Sequence, residues 1–289
     1  MFFNILKAII LGIVQGITEW LPISSTGHMI IVDKIISLNV TEGFRNLFFV
    51  VIQLGSILAV VVMYFNRLNP FNPRLKPGKR DSIIRLWIKI LIATVPAGII
   101  GLIFDDTIQG LFYNSSLIVA AALIIYGVMF IWIERRQQNL NPIIVRSNQI
   151  TYKTAALMGL FQVLALIPGT SRSGATILGA LILGFSRPVA AEFSFFMAIP
   201  VMIGASGYEI IKYILSHTYL DFSSGAVWAV IGQEFVVLLF GFVTAFAVSL
   251  FVIRFLMNFI RKHDFTVFGY YRIGLGALII LITAIAAIF

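Results

Sequence analysis

Six apolar stretches, each long enough to cross a lipid bilayer, constrain this chain more than any other feature. A helix needs about 20 apolar residues to span the hydrocarbon core, with a range of roughly 17–25. The stretches run approximately over 44–65, 86–104, 116–133, 193–211, 235–253 and 273–289. We therefore predict an all-α polytopic membrane protein with six spanning helices.

The composition excludes a soluble enzyme. Hydrophobic residues make up 60% of the 289 residues and charged residues 11%, against roughly 45–50% and about 25% in an ordinary soluble domain. So few polar side chains cannot cover a water-facing exterior. The chain has no cysteine, which rules out disulfides, thiolate metal sites and a cysteine nucleophile. We interpret the net charge of +9 as a signal of membrane topology and predict no nucleic-acid partner.

Lys and Arg residues are unevenly distributed over the predicted loops. Loops 66–85, 134–153 and 254–264 hold six, four and three of them, whereas loop 105–115 holds none and loop 212–226 holds only Lys212. Because Lys and Arg accumulate on the cytoplasmic side, the first three loops are predicted inside and the other two outside. Arg187, Glu192, Glu209 and Glu234 fall near the ends of predicted spans, where we expect them to be solvated at the interface.

Two further apolar regions, 8–32 and 154–186, are interrupted near the middle by Gly, Pro and hydroxyl residues. Neither has the pattern of one continuous helix. The alternation of inside and outside loops requires each region to enter and leave on the same side of the membrane. We therefore predict two re-entrant hairpins, each made of a broken helix.

The two hairpins share a sequence pattern. Four residues of the first recur 147 positions later in the second: Gly12 as Gly159, Gln15 as Gln162, Ser24 as Ser171 and Gly27 as Gly174. Three predicted spans separate the copies, so the second copy lies inverted in the bilayer. We interpret the chain as a single membrane domain, 1–289, whose halves, about 1–146 and 147–289, form an inverted-topology repeat. Chance matching of glycines is the alternative.

Ionisable side chains occur in the hairpin breaks, where burial in a membrane is costly and a functional role is the default expectation. The first break has Glu19 and His28, and the second has Arg172. A helix that starts after a break also presents free N–H groups at the positive end of its dipole. Phosphate is the ligand that suits such a pocket.

Ser25 has the neighbours that a nucleophile needs, with Glu19 and His28 as two candidate bases. Capping of the following helix is the alternative explanation for one of the hydroxyls at 24–26. The planar fork of Arg172 suits bidentate contact with phosphate, and a structural ion pair with Glu19 is its alternative role.

Gln15 and Glu19 are four residues apart, so they share one face of a helix. Their oxygens suit Mg²⁺ or Ca²⁺, and a divalent cation is therefore a candidate cofactor. A buried hydrogen-bonded pair is the alternative. The spacing of Gly12 and Gly16 favours close helix packing over a ligand role.

At these residues the chain resembles the bacterial undecaprenyl-diphosphate phosphatase family associated with bacitracin resistance. Two signatures carry the resemblance: an E/Q-x-x-x-E block followed by P-x-S-S-T-G-H over 15–28, and P-G-x-S-R-S-x-x-T over 168–176. The size, the number of spans and the repeat also agree with that family. The resemblance implies a membrane hydrolase that converts undecaprenyl or another polyprenyl diphosphate to the monophosphate lipid carrier, which returns to cell-wall synthesis.

The resemblance also implies a set of site residues. The catalytic set is Glu19, Ser25, His28 and Arg172. The substrate-binding residues around the phosphates are Gln15, Ser24, Thr26, Gly27, Gly169, Ser171, Ser173, Gly174 and Thr176. Gln15 is a permitted variant at a position that is otherwise acidic, so it weakens a metal site built from two carboxylates.

The expected mechanism is attack of Ser25 on the terminal phosphorus, with Glu19 or His28 as base. His28 or directly activated water is the alternative attacking group. Arg172, helix amides and a divalent cation would hold the diphosphate oxygens. The expected partners are the polyprenyl diphosphate and membrane lipids, and the many small packing residues allow a homodimer. The expected location is the bacterial inner membrane, with the active site facing outside. A lipid-phosphate flippase or transporter is the competing function, since inverted repeats with broken helices are common among transporters.

Overall fold

Successive helices make up most of the chain that the structure describes. A computed structural model describes residues 1–108, 115–138, 140–216 and 225–288, and within these ranges the regular structure is helical apart from one isolated β-bridge between Ile144 and Phe185. The α-helices are α1 (Phe2–Thr18), α2 (Ser25–Ile35), α3 (Glu42–Met63), α4 (Phe65–Leu68), α5 (Pro77–Ile108), α6 (Ser116–Gln137), α7 (Tyr152–Val163), α8 (Arg172–Ile182), α9 (Arg187–Ser216), α10 (Gly225–Phe259) and α11 (Thr266–Ile288).

Six of these helices are long and apolar enough to cross a membrane: α3, α5, α6, α9, α10 and α11. They coincide with the six predicted stretches, which confirms the all-α class and the number of spans. Much of the two predicted outside loops, 105–115 and 212–226, lies outside the described residues.

The predicted loop boundaries were wrong on the basic side. Helix α5 begins at Pro77, so Lys79, Arg80 and Arg85 lie on the helix and not in a loop. Helix α10 likewise continues to Phe259 and includes Arg254. Hydropathy reports the side chains alone, whereas backbone hydrogen bonding continues past the point where side chains become polar. Proline is also favoured in the first turn of a helix.

The two interrupted regions each form a pair of short helices separated by a break. Region 8–32 contains α1 and α2 with residues 19–24 between them, and region 154–186 contains α7, a 3₁₀ turn at Leu164–Leu166, and α8. The interruptions occur where Gly, Pro and hydroxyl residues predicted them. Their re-entrant placement in the membrane stays a prediction.

Helix packing follows the sequence repeat. Helix α1 packs on α10, its counterpart α7 packs on α5, and α6 packs on α11. A Cβ atom at Gly12 would lie 2.6 Å from the carbonyl oxygen of Gly241, and one at Gly159 would lie 2.8 Å from that of Ala93. The two halves therefore make corresponding close contacts, and close packing accounts for the glycine at position 12. The opposite orientation of the halves in the membrane stays a prediction.

Carboxylates near the span ends are buried and make polar contacts. The Arg187 guanidinium pairs with Glu134 at 2.5 Å, and Glu192 pairs with Arg67. Glu234 accepts hydrogen bonds from Thr41 and from the Tyr213 hydroxyl, each at 2.9 Å. The expectation that Arg187, Glu192 and Glu234 would simply be solvated was therefore wrong. Hydropathy does not reveal which charges from distant segments meet.

Candidate active site

Each break ends in a serine with an uncommon backbone conformation. Ser24 has a φ of 74° and Ser171 a φ of 69°, values that cost free energy in a residue with a side chain. Each serine hydroxyl accepts the N–H of the residue three positions on, Gly27 at 3.2 Å and Gly174 at 3.1 Å. These bonds are helix N-caps, which hold the starts of α2 and α8 in place. Capping therefore explains the hydroxyl of Ser24, as the sequence allowed.

The first residue of α2 and the first residue of α8 meet at one carboxylate. Ser25 donates its hydroxyl to Glu19 Oε2 at 2.9 Å. Arg172, which lies 147 positions after Ser25, donates Nη2 to Glu19 Oε1 at 2.9 Å. Corresponding positions of the repeat thus place a serine and an arginine on the two oxygens of the same group.

Glu19 is almost closed off from the surface. Its side chain is 5% exposed and that of Arg172 is 12% exposed, so their charges interact in a medium far less polar than water. Gln15 donates its amide to Glu19 Oε2 at 2.8 Å, so the two residues share a helical face and form the buried hydrogen-bonded pair that was the alternative to a metal site. Glu19 therefore receives hydrogen bonds from a serine, an arginine and an amide.

Arg172 is oriented by a helix outside both breaks. Its Nη1 donates to the carbonyl oxygen of Ser194 in α9 at 3.0 Å. The hydroxyls of Ser194 and Thr176 are hydrogen-bonded at 2.6 Å, and Thr176 also donates to the Arg172 carbonyl at 2.8 Å. The Trp20 ring lies 5.5 Å from the guanidinium carbon. Sequence reasoning missed Ser194, whose signal was one hydroxyl within the apolar stretch 193–211.

Arg272 in α11 donates hydrogen bonds to backbone carbonyls of both breaks. Its Nη1 donates to the carbonyl oxygen of Pro22 at 3.0 Å, and its Nη2 donates to those of Gly169 and Thr170 at 2.9 and 2.8 Å. The residue is fully buried. Irregular backbone inside a membrane must find such donors, because lipid offers none. Sequence reasoning missed Arg272, which stands one residue before the predicted span 273–289.

A second contact joins the breaks directly. Ser173 donates its hydroxyl to the backbone carbonyl of Glu19 at 3.1 Å, with the carbonyl of Leu21 at 3.3 Å as a further acceptor. The Ser171 and Ser173 hydroxyls lie 3.1 Å apart. Ser173 therefore fixes the backbone of the residue that binds Ser25.

The glycines of the two motifs lie where a Cβ atom would come close to neighbouring atoms. Gly169 has a φ of +90°, and a Cβ there would lie 2.5 Å from the Val119 carbonyl oxygen. A Cβ at Gly174 would lie 2.8 Å from Arg272 Nη1, and one at Gly27 would lie 3.3 Å from the Ser24 hydroxyl. A side chain at Gly169 or Gly174 would displace the backbone or the arginine that joins the breaks.

His28 does not contact the Ser25 hydroxyl. Its Nδ1 lies 2.7 Å from the Ser24 carbonyl oxygen and its Nε2 lies 2.7 Å from the Tyr271 hydroxyl. Since a carbonyl only accepts, Nδ1 carries the hydrogen, and Nε2 of the neutral ring accepts from Tyr271. Of the two candidate bases, Glu19 and not His28 therefore forms a hydrogen bond with the Ser25 hydroxyl. Thr26 is half-buried and makes no side-chain hydrogen bond with the described residues.

This arrangement has the parts of a nucleophilic phosphoryl-transfer site. A serine hydroxyl donates to a carboxylate, the carboxylate is held by other groups, and a guanidinium stands beside it. The helices that begin at 25 and at 172 add the N–H groups of their first turns that the serine caps do not bind, and these groups favour an anion. The geometry suits a substrate with a terminal phosphate.

The sequence matches the profile of one protein family, and its relatives include undecaprenyl-diphosphatases from several bacteria. The profile of the family described as bacitracin resistance protein BacA matches residues 8–278. The undecaprenyl-diphosphatase of Enterococcus faecalis is 52% identical over 289 residues, covering 98% of this chain and 99% of that protein. Undecaprenyl-diphosphatase 1 of Clostridioides difficile strain 630 is 53% identical, with 96% and 95% covered. That of Streptococcus mutans is 53% identical, with 97% and 96% covered.

Proposed function

This chain belongs to the bacitracin resistance protein BacA family, and we propose that its two helix breaks form the active site of an undecaprenyl-diphosphatase. Relatives of about half identical sequence over nearly the full length bear that name. The chain is accordingly a multi-pass membrane hydrolase that converts undecaprenyl diphosphate to the monophosphate lipid carrier. The comparisons give no support to the alternative of a flippase or transporter.

In the first step the Ser25 hydroxyl oxygen attacks the terminal phosphorus of the diphosphate. Its proton passes to Glu19 Oε2, the oxygen that it already contacts at 2.9 Å. The bond between the terminal phosphorus and the bridging oxygen breaks, and undecaprenyl monophosphate leaves with that oxygen. The terminal phosphoryl group stays on Ser25 as a phosphate ester.

In the second step water attacks the phosphorus of that ester. Glu19, which has passed its first proton to the departing monophosphate, accepts the proton of the water and gives it to the Ser25 oxygen as that oxygen leaves. Inorganic phosphate is released and the hydroxyl is restored. Glu19 fits the base in both steps because Gln15 and Arg172 hold it in place.

Arg172 and the two helix starts stabilise the charge on the transferred group. The guanidinium donates to Glu19 in the resting protein, and its planar fork also matches two phosphate oxygens. Donors that are already oriented towards developing charge supply much of the rate in such reactions. His28 acts as a positioning residue, since its Nδ1–H holds the Ser24 carbonyl beside the nucleophile.

A divalent cation is part of this proposal. Among the described residues no three His, Cys, Asp or Glu side chains form a metal-binding group. Glu19 and the amide oxygen of Gln15 would supply two protein ligands, which suits Mg²⁺ because that ion usually binds one or two carboxylates together with substrate phosphates and water. When bound, the cation would neutralise charge on the diphosphate.

The membrane placement is also proposed. The helix ends that carry most Lys and Arg, including the start of α5 and the end of α10, lie inside under the charge rule. We place the enzyme in the bacterial inner membrane with its active site open to the outside and with its lipid substrate in the bilayer. A homodimer is compatible with the many close helix contacts.

The hydrogen bond from Ser25 to Glu19 carries the proposal. Phosphate release from undecaprenyl diphosphate by the purified protein in detergent tests it. We expect Ser25→Ala to lower kcat by about a thousandfold or more, because the nucleophile is lost. Glu19→Gln keeps a side chain of the same size but removes the base, and we expect a loss of about a hundredfold to a thousandfold.

Ser116→Ala is the matched control, since Ser116 is also the first residue of a helix and lies outside the site. It should keep the activity of the wild type. Near-normal turnover by Ser25→Ala would contradict the assignment of the nucleophile and would leave water activated by Glu19 as the attacking group.

A further inference from the structure

A large basic cavity lies away from the active site. Its volume is about 750 Å³, within the range of small-molecule sites. Its wall is formed by the short helix α4, the first turns of α5 and α9, residues 145–148 and the end of α10. None of the residues that line it belongs to the catalytic or substrate-binding set. All of these segments lie at the end of the helix bundle that the charge rule assigns to the inside.

The cavity has a strong excess of positive charge. Its lining includes six basic side chains and one carboxylate, namely Arg67, Lys79, Arg85, Lys89, Arg146, Arg261 and Glu192. Glu192 is already paired with Arg67 and accepts a hydrogen bond from Ser147 at 3.3 Å. Within the described part of the chain, the other five basic side chains have no ion pair with a carboxylate. Clustered like charges repel, so the cavity is suited to an anion.

Lys89 strengthens this argument because it is buried without a counter-charge. The residue is 8% exposed. Its ammonium makes one long hydrogen bond of 3.5 Å to the Asn148 carbonyl and lies 5.9 Å from the centre of the Tyr152 ring. Arg85 lies one helical turn away on the same lining. A buried ammonium is costly without an anionic partner.

We propose that this cavity binds a phosphate group, borne by an anionic lipid headgroup or free in solution. Arginine forks match phosphate oxygens, and lysines add point charge. Basic pockets between membrane helices on the cytoplasmic side hold phospholipid headgroups by the same chemistry. The site is separate from catalysis, so its ligand would stabilise the protein and need not take part in hydrolysis.

The test compares two double variants of the full-length protein in an uncharged detergent. Arg85→Gln with Arg146→Gln removes two charges from the cavity. Arg74→Gln with Arg80→Gln removes two exposed charges near the same end of the bundle that do not line it. Thermal unfolding is followed while phosphatidylglycerol, phosphatidylcholine or inorganic phosphate is added, and the ligand-induced shift gives an apparent Kd for each. Both double variants should keep wild-type phosphatase activity.

We expect the cavity variant to bind roughly tenfold to thirtyfold more weakly than the wild type, whereas the control variant binds as the wild type does. A difference seen with phosphatidylglycerol alone identifies a lipid headgroup, and one seen with inorganic phosphate identifies the free anion as a ligand. Equal binding by the two double variants would overturn the proposal. Equal stabilisation by phosphatidylglycerol and phosphatidylcholine, with no effect of phosphate, would also overturn it.

Discussion

The first break, residues 19–24, and the second break, residues 167–171, end in the same backbone conformation and differ in chemistry. Both end in a serine with a φ near 70° that caps the following helix. The next residue is Ser25 in one break and Arg172 in the other. The position of Glu19 corresponds to Leu166, which ends the 3₁₀ turn just before the second break, and that of His28 corresponds to Ala175. Under the proposed mechanism, one break holds the nucleophile and its base, and the other supplies the cation.

The same backbone turn, repeated in the two halves, therefore presents two different groups, a serine hydroxyl and an arginine guanidinium. The first side chain of each helix points to a common centre, where both bind the Glu19 carboxylate at 2.9 Å. Neither break alone has a nucleophile, a base and a positive charge. The active site thus depends on both halves being held together, and three experiments test that dependence.

Arg172→Ala should have the largest effect. It removes the charge that the second break supplies and leaves Glu19, which is 5% exposed, without its cationic partner. We expect kcat/KM for undecaprenyl diphosphate to fall by about a thousandfold or more, and Arg172→Lys to lose about a hundredfold because a point charge replaces the fork. Full activity of Arg172→Ala would show that the first break is sufficient. Size-exclusion chromatography would establish that each variant is folded.

Arg272→Met should have an intermediate effect because it removes one of the contacts that join the two breaks, while those of Arg172 and Ser173 with Glu19 remain. Three backbone carbonyls, those of Pro22, Gly169 and Thr170, would lose their donor. We expect a loss of about 2–4 kcal/mol in stability and a fall in kcat of about tenfold to a hundredfold with little change in KM.

Arg272→Lys is the control for a positioning role, since it keeps a donor and a charge. It should recover part of both kcat and stability. A variant Arg272→Met with unchanged kcat but lowered stability would show that the tie between the breaks serves folding alone.

The smallest effect should come from the two capping serines, and it compares the breaks most closely. Ser24→Ala and Ser171→Ala each remove one cap and should each lower stability by about 1 kcal/mol, whereas the glycine variants should lower it less, because glycine tolerates a positive φ. Stability should fall slightly more for Ser171→Ala, because the Ser171 hydroxyl also contacts the Ser173 hydroxyl. Turnover should fall further for Ser24→Ala, since the Ser24 cap holds the start of α2, which carries Ser25, whereas Arg172 at the start of α8 is also held by the Ser194 carbonyl. Equal turnover in both would contradict the unequal roles of the breaks.

The spans and the first residues of the site were predictable from sequence because their signals are local. An apolar stretch of about 20 residues predicts a span, and all six were confirmed. Ser25 and Glu19 stand within one motif, and Arg172 stands in its counterpart. The spacing of Gln15 and Glu19 likewise predicted a shared helical face, and the hydrogen bond of 2.8 Å between them is the alternative that the sequence allowed beside a metal site.

The other contacts were not predictable because they join segments far apart in the chain. Arg272 lies 250 positions from Pro22, and nothing in its own neighbourhood indicates that it binds backbone carbonyls in both breaks. Ser194 has the same difficulty, since one hydroxyl in an apolar stretch has many ordinary roles. His28 was a candidate base because it lies three residues from Ser25, on the same helical face, but its ring turns to Tyr271. Spacing fixes a helical face and leaves the rotamer to the tertiary surroundings.

The central claim is that Ser25 forms a covalent phosphate ester between two displacements, and the configuration at phosphorus tests it most directly. Undecaprenyl diphosphate with a terminal phosphorus made chiral by sulfur and oxygen isotopes is hydrolysed, and the configuration of the released thiophosphate is determined. Each in-line displacement inverts the phosphorus. Attack by Ser25 followed by attack of water therefore predicts net retention. Net inversion would contradict the account, because it would mean that water attacks the substrate directly.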